Sequence, residues 1–421
     1  MYKFYLLEEH EFGKFTDEAE NGNYLQTKEM ASLKKSRGVE VFFPGVKDES
    51  DNTVMSALMT KTKLGVGFVF DIDGLEIPKN NTALLSYFLE NLKEYVKKEG
   101  CLYLTISPNC AYGMYDYYGK LLNDKDKSVI QQFSKEGYIH EGFTSGYATD
   151  GNPQWIYKKS LEGFTEPELL KSYGKDAKYS LNKAKSFGIT TKELRYEELP
   201  QFKEITERTS IRRNFKDKSL DYYQAVYKAY GDRAKFVVAE INFRTYLESL
   251  VQQKEQLQKK LDEVAAFLAI NPNSRKKNNQ KREFSDEFST YEKRIEEGKK
   301  MLETHGDEVA LACALFLSCP HETVYLFSGT EEEFKKLYAP FLIQDKMLRY
   351  SVEKNIPLYN FYGIEGIFDG SDGILKFKQS FNGYAEEKIG TFKTIINPGK
   401  YKAYMILKHV REFVNKLRGR G

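Results

Sequence analysis

Two rhythms of apolar positions run through the first 150 residues. Short apolar runs at 66–70 and 102–106 flank Leu84, Leu85, Phe88, Leu89, Leu92 and Val96, whose spacing predicts a helix over 82–98 between two strands. The stretch 142–153 then holds three Gly and one Pro in twelve residues and places a boundary near residue 152. Beyond it, Thr165 as N-cap, Pro167 in the first turn and Glu168 at the third position mark a helix start. A lysine-rich helix and a strand at 236–241 follow, so both regions read as mixed α+β units.

Residues 244–304 keep another period. Leu247, Leu250, Leu257, Leu261, Val264 and Leu268 step by 3, 7, 4, 3 and 4, the spacing of a helical seam. Lys254 holds the skipped position, where its aliphatic stem can lie along the seam. Asn271-Pro272-Asn273-Ser274 makes a turn, and a returning stripe follows at Phe284, Phe288, Tyr291, Ile295 and Leu302, with Gly298 at the remaining seam position. An antiparallel coiled-coil arm follows from this pattern, its charged surface projecting from the body over about 37 Å. Strand signals return at 309–317 and 324–327, so the arm is an insertion. The expected organisation is a first unit over 1–152, a second over 153–243 and 305–400, and the arm over 244–304.

The tail 401–421, with Lys400 just before it, forms a basic amphipathic helix pattern. Ile406, Leu407, Val410, Phe413, Val414 and Leu417 share one face, while Lys400, Lys402, Lys408, Arg411, Lys416, Arg418 and Arg420 outnumber the single acid Glu412. Such a helix packs on its own protein or lies on an anionic membrane surface. The expectation is that its apolar face packs and its basic face is left for lipid or RNA.

Composition narrows the class. The 64 Lys+Arg against 61 Asp+Glu give a formal net charge of only +3, with 41% hydrophobic residues, as in an ordinary globular chain. The longest apolar run, 309–317, is nine residues, against the roughly 18 to 20 that a membrane-spanning helix needs. The N-terminus turns acidic at Glu8-Glu9 with no apolar leader, so the expected location is cytoplasmic, with peripheral contact at the inner face of the membrane. Four cysteines without a CxxC spacing read as reduced core residues.

Familiar catalytic motifs are missing: no Walker loop, no GxGxxG, no HExxH and no GxSxG. His10, His140, His305, His321 and His409 are scattered and Cys110 has no evident base, so neither a metal site nor covalent catalysis is expected. The richest local text is 359–383, where a strand ends in a glycine-rich loop that leads into Phe377-Lys378. Glycines permit close approach of a ligand, free amides hold an oxyanion or phosphate, and lysines add charge. The same composition also fits a long turn with surface lysines.

At these residues the sequence resembles the Fem family of non-ribosomal peptidyl transferases, which build peptidoglycan interpeptide bridges from aminoacyl-tRNA. Further matches are Glu11-Phe12, Leu25-Gln26-Thr27, Leu102-Tyr103-Leu104 with Pro108, Gly142-Phe143-Thr144-Ser145-Gly146, Leu169-Leu170-Lys171-Ser172 and the segment 183–189. Within the family, segments 209–213, 217–223 and 366–373 look most like the streptococcal MurN type, which adds the second branch residue, alanine.

The resemblance implies two GNAT-like (acyl-CoA N-acyltransferase-like) domains with the arm inserted in the second. It implies transfer of alanine, or else serine or glycine, from aminoacyl-tRNA to lipid II or a related muramoyl-pentapeptide precursor, with no cofactor beyond the tRNA co-substrate. Lys34, Arg212 and Arg213 fall on the family's phosphate-binding charges. Phe377 and Lys378 fall on the pair tied to transfer, with Lys378 as the electrostatic group for the oxyanion or the tRNA end. Tyr325, Tyr362 and Gly363 are expected beside the substrate. Ser107 replaces an aspartate found in many members, which argues for catalysis by positioning instead of a single general base.

Two basic clusters are candidates for tRNA: Lys171, Lys175, Lys178, Lys183 and Lys185, and Arg275, Lys276, Lys277, Lys281 and Arg282 at the arm tip. The alternatives are a non-catalytic tRNA-binding or immunity-type relative, and an acyl-CoA-dependent N-acetyltransferase. The latter would need an Arg/Gln-x-x-Gly-x-Gly/Ala loop, which the sequence lacks.

Overall fold

The computed structural model describes residues 2–144 and 152–417, so Ser145, Gly146, Arg418 and Arg420 lie outside the described residues. Its first large sheet runs in the order Glu40–Phe42, Met59–Leu64, Gly67–Leu75, Cys101–Pro108, Phe392–Ile395, Ile139–His140. The parallel central pair, Gly67–Leu75 and Cys101–Pro108, is joined by the expected helix Thr82–Lys98, started by Asn81 Oδ1 accepting from Leu84 N at 3.0 Å. Strand alternation sorts the side chains. Phe70, Ile72, Leu104 and Ile106 enter the core beneath that helix, which leaves Asp71, Asp73, Thr105 and Ser107 on the opposite face.

The second sheet has eight strands, in the order Thr190–Glu193, Ala234–Asn242, Glu308–Ser318, Glu322–Thr330, Leu358–Ile364, Trp155–Ser160, Tyr384–Lys388, Ala111–Tyr115. Its parallel pair, Glu322–Thr330 with Leu358–Ile364, is in register only from Glu322↔Leu358 to Val324↔Asn360, after which the strands run on unpaired with each other. A small third sheet joins Lys3–Leu6, Pro44–Lys47 and Thr53–Ser56.

The mixed α+β class is the one expected, with an inserted helical arm. The sheets nonetheless exchange strands: Ala111–Tyr115 joins the second sheet and Phe392–Ile395 the first, so a cut at residue 152 does not separate them. One apolar core also combines Phe12, Met30, Leu33 and Leu58 with Phe202, Tyr223, Leu315 and Val324. Hydrophobic burial thus fuses the two units across their interface.

The arm consists of helices Phe243–Ile270 and Arg275–His305. Leu250, Leu257 and Val264 are buried in its seam. Lys254 lies along the seam as its long stem allows, with Nζ 3.0 Å from Glu292 and 4.6 Å from the Phe288 ring centroid. Gly298 is needed because a Cβ there would sit 2.8 Å from Leu247 Cδ2.

The C-terminal helix Pro398–Leu417 departs from expectation. It meets the body through Tyr401 and Tyr404, whose rings lie 5.6 and 6.4 Å from that of Tyr103. Over its described part the apolar face is turned to solvent: Ile406, Leu407 and Val410 are exposed by 64%, 54% and 55%. Aromatic packing on the tyrosine side sets the helix rotation and turns the apolar stripe outward. Among the described residues, no helix is long and apolar enough to cross a membrane.

Candidate active site

The strand Leu358–Ile364 carries a bulge that builds the site. Its pairing to Trp155–Ser160 skips register between Ile156 and Lys158, and Tyr362 takes a φ of 66°, a left-handed value unusual for tyrosine. The glycine-rich loop leads from this strand to helix Gly373–Gln379, which brings Lys378 back beneath the bulge. Lys378 Nζ donates to the carbonyl oxygens of Tyr362 at 3.3 Å and Gly363 at 2.5 Å. Burial lowers its ammonium to about 7, partly opposed by the charge of Asp372. The amine is therefore poised between charged and neutral near neutrality.

The loop's own carboxylates occupy the amides that the sequence suggested for an oxyanion or phosphate. Asp372 Oδ1 accepts from Ile374 N and Leu375 N at 2.8 and 3.0 Å, and Asp369 Oδ1 accepts from Ser371 N at 2.8 Å. Gly366 (φ 78°) packs against Trp155, whose ring atoms would lie 2.7 Å from an added Cβ. The loop is a scaffold that fixes Tyr362, Gly363 and Lys378.

Tyr362 also faces the first unit. Its ring meets Tyr24 edge-on, with centroids 6.4 Å apart, and burial raises its phenol despite a hydrogen bond with Tyr24, while the charge of Asp73 adds to the rise. Asp73 accepts from Asn152 Nδ2 at 3.2 Å. Asp71, two residues back on the same face, bonds the Thr105 hydroxyl; burial raises its carboxyl, and that bond and the charge of Lys34 pull it down. Ser107 Oγ lies 2.9 Å from Thr391 Oγ1. The half-buried Lys34, Asp71, Asp73 and Tyr362 thus form a polar wall across both units. Sequence reasoning missed Asp71 and Asp73, although the alternation Phe70-Asp71-Ile72-Asp73 carries the signal of a strand with one polar face.

Arg212 and Arg213 end the helix Leu199–Arg213 and are exposed. Arg212 Nη1 donates to Thr330 O at 3.0 Å, and its Nε stands 3.7 Å from Glu332. Two unanticipated cations, Arg37 and Lys218, lie over the Tyr222 ring at 4.9 and 5.6 Å, one from each unit. The structure gives no direct contact between Lys34 and either Arg212 or Arg213.

The other candidates separate. Phe377 packs edge-on against Phe341 and Phe381, at 4.9 and 5.7 Å, in an aromatic cluster. Tyr325 stacks on Phe316 at 5.4 Å in the second sheet's core, where burial raises its phenol to about 12. Lys175, Lys178 and Lys183 belong to helix Lys175–Ser186, with Lys175 and Lys183 exposed and Lys178 Nζ donating to Lys171 O at 2.7 Å. That helix is tied to the end of the Lys378 helix: Gly174 N donates to Ser380 O at 2.8 Å. Lys183 flanks the exposed ring of Tyr179, at 5.8 Å. Lys276 is exposed at the arm tip, while Lys277 lies over Phe267 at 5.5 Å, about 25 Å along the arm from its buried root near Leu250. The thiol of Cys110 is raised by burial to about 11, unfavourable for a nucleophile at neutral pH.

Comparison with known proteins bears on this geometry. Aminoacyltransferase FemA of Staphylococcus aureus (strain bovine RF122 / ET3-1) is 30% identical over 416 residues, covering 97% of this chain and 99% of the relative. The FemA of strain N315 matches to the same extent. The crystal structure of FemX superposes with a TM-score of 0.78 at 20% identity, covering 95% of this chain and 99% of that one. The FemAB family model matches residues 7–409, and with so much of the chain accounted for, the protein belongs to the FemAB family.

Proposed function

We propose that the protein is an aminoacyltransferase that moves one amino acid, alanine, from aminoacyl-tRNA to the branch amine of lipid II, extending the interpeptide bridge at the cytoplasmic face of the membrane. Family membership and the aminoacyltransferase FemA relatives support the reaction class. The observation that carries the site is the position of Tyr362. Its carbonyl is held by Lys378 of the second unit, while its ring faces Tyr24 and the charge of Asp73 in the first. A donor held along the second unit and an acceptor held along the first would meet there.

In this reading the precursor's pyrophosphate is held by Lys34 with Arg212 or Arg213, and Arg37 and Lys218 add charge beside them. Asp71 and Asp73 orient the incoming amine. The amine nitrogen, in its neutral form, attacks the carbonyl carbon of the tRNA ester. A C–N bond forms, the C–O bond to ribose breaks, and the amine proton ends on the ribose oxygen. The ester is already an activated acyl donor, so alignment supplies much of the rate. Lys378 holds the bulge and, when protonated, places positive potential near the developing oxyanion. The lysines of helix Lys175–Ser186 and of the arm tip track the tRNA backbone.

A donor competition tests the reading. Purified protein with lipid II should form product from charged tRNA and none from acetyl-coenzyme A. Acetylation of the acceptor would instead establish the coenzyme A-dependent alternative.

A further inference from the structure

The C-terminal helix offers an unassigned surface. Its rotation follows from the spacing: at 3.6 residues per turn, Tyr401 and Tyr404 share one side, and Ala403, Ile406, Leu407, Val410 and Val414 centre roughly 130° away. The tyrosine side is the one on Tyr103. The opposite stripe is left uncovered over Ile406, Leu407 and Val410, all more than half exposed. Exposed Lys400, Lys402, Lys408 and His409 border this stripe or lie behind it, against the single acid Glu412, which is 4.0 Å from Lys408.

The same sheet face continues the apolar surface. Strand pairing puts Ile395 opposite Tyr103 and Ile139 opposite Lys393, and these two isoleucines are 40% and 66% exposed. Thr105, two residues from Tyr103 and so about 7 Å along the strand, donates its hydroxyl to Asp71 of the polar wall described above. The outward stripe and the acceptor wall therefore share one face of the first sheet.

We infer that the helix Pro398–Leu417 is a docking device for an anionic lipid surface, with Ile406, Leu407 and Val410 entering the headgroup boundary and Lys400 and Lys402, which border the stripe, meeting lipid phosphates. The charge decides the occupant: a second copy of this chain would set the basic helix against another basic helix, whereas an anionic bilayer complements both the apolar stripe and the cations. The inference deepens the proposed function by bringing the acceptor wall to the surface where a lipid-linked precursor resides.

The test uses the full chain and unilamellar vesicles that contain no acceptor. Wild-type protein should co-sediment with phosphatidylcholine–phosphatidylglycerol vesicles, bind pure phosphatidylcholine at least about tenfold more weakly, and lose anionic binding as salt rises. Leu407→Asp with Val410→Asp should reduce vesicle affinity at least about tenfold while leaving transfer to a water-soluble acceptor and tRNA binding unchanged. Absence of wild-type binding to anionic vesicles, or equal binding by the double variant, overturns the inference. So does loss of tRNA binding in the variant, or a salt-stable dimer in sedimentation velocity that the variant splits. Vesicle binding and soluble transfer are separate readouts, so failure of the docking surface is distinguishable from failure of the transferase reading.

Discussion

Lys378 reaches the main-chain carbonyl of Tyr362 across 3.3 Å, and so the left-handed bulge in strand Leu358–Ile364 is fastened by an ammonium that burial brings to about 7. Strain at one residue and desolvation at the other are held in a single contact, the arrangement expected where backbone geometry serves a reaction.

That contact predicts a pH signature. Below about 7 both folded and unfolded chains hold the Lys378 proton; between about 7 and the ordinary lysine range only the unfolded chain does, so this group adds stability as pH rises through that window. Urea unfolding of wild type should gain on the order of 2 kcal/mol between about pH 6 and 9 relative to Lys378→Met. Equal pH slopes in the two proteins would remove the buried ammonium. The proposed role makes the protonated form the active one in transfer assays, so the limb falling as pH rises through about 7 should vanish in Lys378→Met, along with most of kcat.

Gly366 combines a φ of 78° with ring atoms of Trp155 that would lie 2.7 Å from an added Cβ. Gly366→Ala should cost about 2 kcal/mol or more in urea unfolding, because left-handed strain and overpacking add. A variant as stable as wild type would show that the loop does not press on Trp155.

For the precursor phosphates, Arg213→Ala should raise the acceptor KM about tenfold, equivalent to ~1.4 kcal/mol, and leave kcat and stability alone. Arg212→Ala should raise KM and also loosen its helix end, since it loses the bond to Thr330 O at 3.0 Å. Unchanged kinetics in both would move the phosphate site to Arg37 and Lys218.

At the arm tip, Lys276→Ala with Lys277→Ala should raise the tRNA KM and lower the slope of log affinity against log salt by about 1 to 2, with the acceptor KM unaffected. An unaltered salt slope would free the arm from tRNA contact.

Local signals were legible in the sequence and non-local ones were not. The heptad steps from Leu247 to Leu268 anticipated the arm because a helical seam is written in short-range spacing, and Thr165, Pro167 and Glu168 marked a helix start that forms as Glu166–Ser172. The exchange of Ala111–Tyr115 and Phe392–Ile395 between sheets was invisible, since pairing partners lie far apart in sequence. In the site, Phe377 and Lys378 are neighbours in sequence, yet the ring joins Phe341 while the ammonium reaches the bulge. Successive helical side chains point about 100° apart, so adjacency in a motif does not fix a common direction. The apolar stripe of the last helix was legible in the sequence, but its outward direction was not, because amphipathic pattern alone does not say which side meets the body.

The most direct measurement incubates the protein with lipid II, bare or already carrying one branch residue, and with tRNA charged separately with alanine, serine or glycine, and follows the acceptor's intact mass. The account predicts a gain of one alanyl residue on the acceptor that already carries one, abolished by ribonuclease. Folded protein that binds tRNA but adds no mass with any donor and acceptor pair would contradict it.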